Sequence, residues 1–66
     1  MKNYLLVAIY ANGESDVILS ALNDPAYIVG TAKVIYIRNA VKIEVWETAQ
    51  DVDTFTDART VYSRIL

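Results

Sequence analysis

Polar and apolar residues alternate strictly between Val41 and Trp46: Val41, Ile43 and Val45 fall on one side, Lys42, Glu44 and Trp46 on the other. A period of two marks a half-buried strand, so residues 41–48 are predicted as one. Residues 4–11 (Leu, Val, Ile, Tyr and Ala among them) are apolar without alternation, as in a central strand covered on both faces. Asn12-Gly13 breaks that run. Residues 32–38 predict a further strand, joined to 41–48 as an antiparallel hairpin around Asn39-Ala40. Its register is open. A two-residue loop puts Val34 and Tyr36 on the face of Ile43, a three-residue loop Ile35 and Ile37. Ala40 suits the positive φ of a tight primed turn poorly, which favours the longer loop.

Two segments carry the other period. In residues 15–23, Val17, Ile18, Ala21 and Leu22 form one apolar stripe behind a Ser15 cap and Asp16, which predicts a short helix. Asn23-Asp24-Pro25 is predicted to end it, leaving residues 25–31 as a connection. In residues 49–66, Val52, Phe55, Ala58, Val61 or Tyr62, and Ile65 recur at three-to-four spacing, predicting the longest helix. The sum is a single α+β domain over residues 1–66: a two-layer strand-helix-strand-strand-helix chain, with a three-stranded antiparallel sheet and two helices on one face.

Composition changes the picture by subtraction. The chain has 66 residues, 55% of them hydrophobic, and no His or Cys. A domain of this size buries only about 60% of its unfolded surface, so apolar area is expected to seek a partner. Disulfides and a zinc finger are ruled out. No nucleophile–base pair can be built, and Ser15, Ser20 and Ser63 lack an activator. Glu44 and Glu47 fall on opposite strand faces, and Asp51, Asp53 and Asp57 read as compensation at a helix start. The expectation is a protein that is not an enzyme, with no cofactor and no metal. A net charge of −2 with six scattered basic residues does not suit an autonomous nucleic-acid binder. No apolar stretch approaches the roughly 18 residues of a membrane span, and no secretory pattern is visible, so a cytoplasmic location is expected. Trp46, on the polar side of its strand, either lies flat there or anchors an interface.

The run from Asp51 to Leu66 resembles the terminal segment of the small dimerising subunit of the KEOPS complex, the Pcc family of archaea and eukaryotes. There a helix follows the form acidic, hydrophobic, x, x, Leu-Arg-Ala, x, x, Asn-Ser, aromatic, x, Arg. Asp51, Phe55, Tyr62 and Arg64 fall on matching kinds of position, and Ala21-Leu22 with Asp24-Pro25 resembles the family's first helix end. Ala26 stands where Glu is expected, Thr56 for Arg, Asp57 for Ala, and Thr60-Val61 for Asn-Ser, which suits a divergent member or a paralogue. The resemblance implies a non-catalytic scaffold subunit supporting threonylcarbamoyladenosine modification of tRNA. It would pair with itself or a paralogue as a dimer, bind the KEOPS catalytic subunit through its helices, and meet tRNA through the complex. Candidate partner-interface residues are Val17, Ala21, Phe55, Tyr62, Ile65 and Trp46, with a helix–helix groove as the docking element; Arg59 and Arg64 are candidate tRNA contacts. The alternative is a stand-alone small-ligand-binding oligomer in which Trp46 and Tyr36 line a subunit cleft.

Overall fold

The unbroken apolar run near the start becomes the second strand of a four-stranded sheet. The computed structural model describes residues 2–49 and 58–66. In chain order these form β1 (Lys2–Tyr10), β2 (Ser15–Leu22), α1 (Pro25–Ala32), β3 (Ala40–Ala49) and β4 (Arg59–Ile65). The sheet order is β2-β1-β3-β4, every pair antiparallel. β1 is central, and Leu5, Leu6, Val7 and Ala8 are all buried, which is why its sequence shows no alternation. β3, the other central strand, keeps its alternation.

The small α+β class with an antiparallel sheet stands, but the element count differs: four strands and one helix are described, not three strands and two helices. Residues 15–23 are not a helix. Val17 and Ile18 are β-branched, and Gly13 at φ 87° turns the chain back so that this stretch pairs with β1. An i, i+1, i+4, i+5 stripe cannot by itself outweigh such a ladder, since two helical turns are unstable alone. The helix falls instead on residues 25–32, where a connection was expected. Asp24 accepts from the Tyr27 N–H at 3.1 Å as N-cap, and Pro25 occupies the first turn, where its missing N–H costs nothing. Asp24-Pro25 is thus a helix start rather than a stop.

Residues 33–39 are not a ladder strand, so the hairpin around Asn39-Ala40 does not form. They are an irregular connection with Ile35 and Ile37 half-buried against the core and Val34 and Tyr36 exposed. Asn39 takes the left-handed turn conformation at φ 72°, which Asn tolerates. The long terminal helix is also corrected: residues 59–65 are β4, whose Thr-Val-Tyr run suits a strand, paired with β3. Residues 50–57, Phe55 among them, lie outside the described residues.

The registers line up as rows across the sheet. One face carries Asp16–Ala8–Ile43–Arg64, Leu19–Leu6–Val45–Tyr62 and Ala21–Tyr4–Glu47–Arg59. The other carries Ser15–Ile9–Lys42–Ile65, Val17–Val7–Glu44–Ser63 and Ser20–Leu5–Trp46–Thr60. Helix α1 lies on the first face. There Ile28 and Ala32 meet Leu6, Ala8, Ile43 and Val45, all fully buried. Each pair of strands contains one bulge, leaving Ile18, Val41 and Val61 as the extra residues.

Candidate functional site

The face opposite α1 is organised by the alternation of β3. Lys42, Glu44 and Trp46 stand in line on it, two residues apart. Glu44 accepts from the indole Nε1–H of Trp46 at 2.8 Å and faces Lys42 Nζ at 2.9 Å. Partial burial pushes the Glu44 carboxyl up, but hydrogen bonds from Trp46, Lys42 and Thr60 and the Lys42 charge outweigh it. The group is held below its ordinary value. Trp46 is half-buried beside its cross-strand neighbour Leu5, and Val7 lies opposite Glu44. Glu44, Trp46, Ala58 and Thr60 line a cleft of about 210 Å³.

A matching cluster sits on the helix face. Glu47 accepts from the Tyr4 hydroxyl at 3.2 Å and pairs with Arg59 at 3.3 Å and Lys2 at 3.4 Å. Loss of water pushes its carboxyl up, yet the Arg59 and Lys2 charges and the Tyr4 bond hold it below the usual range. Both glutamates are therefore ionised acceptors with their partners supplied by neighbouring residues. They tie strands together: Glu44 reaches Thr60 of β4, and Glu47 reaches Lys2 and Tyr4 of β1 and Arg59 of β4.

The named candidates do not converge. Val17 is exposed on edge strand β2, and Ala21 is half-buried on the helix side of the same strand. Tyr62 packs against the core from β4, whereas Ile65 is 75% exposed on the opposite face. With one helix described, no helix–helix groove exists among the described residues. Tyr36 lies in the segment laid on the helix side, away from Trp46, so the two do not share a cleft within one chain. Arg59 is engaged by Glu47. Arg64 donates to the Lys33 carbonyl at 2.6 Å and to the Ile35 carbonyl, fastening residues 33–35 to β4. It is a tether, not an open phosphate ligand.

Sequence reasoning missed the acceptor role of both glutamates, although Lys42, Glu44 and Trp46 sharing one face was visible as alternation. Among the described residues, no group of three or more His, Cys, Asp or Glu is placed to hold a metal ion. None of their helices is long and apolar enough to cross a membrane. Compared with family models, curated proteins and solved structures, the chain shows no match.

Proposed function

We propose that this chain is a non-catalytic, self-associating interaction domain. One observation carries the reading: among the described residues neither flanking strand has an outer neighbour, and both expose apolar side chains. On β2 these are Val17, Ile18 and Leu22, and on β4 Val61 and Ile65, each at least 39% exposed. An unpaired strand edge with exposed apolar residues is a template for another chain. Light scattering after size exclusion tests it: species larger than a monomer support the reading, and a monomer at every concentration sinks it.

Within that class, the narrower proposal is the cytoplasmic KEOPS scaffold subunit serving tRNA modification. It rests on the resemblance alone, because residues 59–65 are a strand where the family has its terminal helix. Mixing with the KEOPS catalytic subunit in the same experiment decides it by co-elution. The cleft beside Trp46 favours a second reading, a small-ligand-binding oligomer. At about 210 Å³ it is smaller than the roughly 300–1,000 Å³ of ordinary ligand pockets, which ranks this reading lower. Quenching of Trp46 fluorescence in a screen of nucleotides, flavins and amino acids is its test; no quenching eliminates those ligands.

A further inference from the structure

We infer that copies of this chain add head to tail, β4 of one against β2 of the next, extending a single antiparallel sheet sideways. The inference rests on the self-association reading and specifies which surfaces meet.

Strand polarity comes first. In the order β2-β1-β3-β4 with every neighbour antiparallel, β2 and β4 run in opposite directions. Shifting one copy sideways along the rows therefore sets β4 antiparallel to the next copy's β2. It also keeps every α1 on the same face, so no helix has to cross the sheet.

Register comes second. Six rows run unbroken from β2 to β4. Continued into a neighbour, they set Arg64 beside Asp16, Tyr62 beside Leu19, and Arg59 beside Ala21 on the helix face. On the other face they set Ile65 beside Ser15, Ser63 beside Val17, and Thr60 beside Ser20. Each flank carries one extra residue within these rows, Val61 on β4 and Ile18 on β2. The two bulges compensate, so the pairing returns to step instead of slipping every side chain to the wrong face.

Charge selects this pairing over its rivals. Between residues 14 and 24 the chain has Glu14, Asp16 and Asp24 and no cation. Strand β4 has Arg59 and Arg64 and no anion. A two-fold β4–β4 pair would gather four arginines on one ribbon, and a β2–β2 pair would set acid near acid. The head-to-tail pair sets unlike charges in one row. Arg64, whose guanidinium holds the Lys33 and Ile35 carbonyls, gains the Asp16 charge in its own row. Tyr62 and Leu19, each half-buried at the rim of the core, cover one another. Because the contact is not self-complementary, it produces a ring if the twist closes and an open ribbon if it does not.

The test is edge-blocking complementation, read by light scattering with far-UV circular dichroism as the folding control. One variant carries Asp16→Lys and Val17→Lys on β2, the other Val61→Lys and Ser63→Lys on β4; all four sites are exposed. Each variant alone is expected to be a monomer. Their equimolar mixture is expected to form a dimer that grows no further, since the pairing uses the one open edge that each variant keeps. Persistence of the β2-blocked variant as a dimer, or a mixture that stays monomeric, overturns the inference while leaving self-association intact. A wild-type chain that is monomeric throughout overturns the self-association reading and this inference with it. Where a double variant loses its folded signal, Asp16→Lys and Ser63→Lys singly run the same comparison.

Discussion

The two faces of this sheet are held by different forces, and adjacent residues on β3 show it. Ile43 points to the helix side and is fully buried among Leu6, Ala8, Ile28, Ala32 and Val45. Glu44, one step along, points the other way and gathers Trp46, Lys42 and Thr60 around a carboxylate. Under α1 the first face is dry and depends on shape; around Glu44 the second sets satisfied charge beside the buried Leu5 and Val7. The difference teaches where tolerance lies. A dry core loses both transfer energy and packing when trimmed, whereas a half-wet polar cluster can recruit water in place of a lost partner.

Truncation at the two neighbours breaks the comparison most sharply. Ile43→Ala is expected to cost about 2–5 kcal/mol. Small domains have only about 5–15 kcal/mol in hand, so the variant is expected to sit near its unfolding midpoint in mild urea. Glu44→Ala, on the other face, is expected to cost about 1–3 kcal/mol. Urea melts of the two variants side by side check the order. Equal losses would mean that the polar cluster carries as much of the stability as the helix face.

Arg64 sharpens the same contrast, because it is the polar element that closes the dry face. Its guanidinium holds the carbonyls of Lys33 and Ile35, and with them the segment that lays Ile35 and Ile37 on the core. Arg64→Ala is expected to cost about 1–3 kcal/mol and to speed amide exchange in residues 33–39 more than in β1. Arg64→Lys is expected to rescue little of this, since an ammonium lacks the fork that reaches two carbonyls. Full rescue by Lys would show that charge alone, not the two-point tether, matters here.

What was legible in the chain follows the same division. β1 and β3 were readable because burial of both faces, or of one, leaves an unambiguous pattern. The edge strands were not. In β2 the pairs Val17-Ile18 and Ala21-Leu22 fit a helical stripe because the bulge at Ile18 breaks the two-residue period. In β4 the bulge at Val61 does the same, and a three-to-four spacing from Ala58 to Ile65 emerges by accident. Asp24-Pro25 reads as a stop or a start depending on which side is helical, and only tertiary pairing decides. The Val34-to-Ile37 alternation was real, with Ile35 and Ile37 inward, but a side-chain tether replaces the expected ladder. The candidate site fared less well because most of its residues were placed on faces of helices that became strands. Glu44 and Trp46 were on the correct strand and face, while their hydrogen bond required three dimensions.

The smallest expected effect is also the most direct probe of the polar face. Trp46 is the only tryptophan, and its Nε1–H donates to Glu44. The Glu44 carboxyl is held below its ordinary value, so the folded state binds its proton less readily than the unfolded chain. The sign follows: the group contributes stability above the unfolded carboxylate value of about 4.3, and that contribution disappears as pH falls through the lower folded value. Glu47 is shifted in the same direction and adds to the same acid limb. Fluorescence of Trp46 is therefore expected to titrate with a midpoint below about 4.3 while the chain is still folded. Glu44→Gln is expected to abolish that transition. It should leave the Glu47-linked loss of stability at low pH in place, because the two carboxylates stand on opposite faces. A midpoint at or above the ordinary value would mean that loss of water outweighs Lys42, Trp46 and Thr60, and that the polar face is strained rather than satisfied.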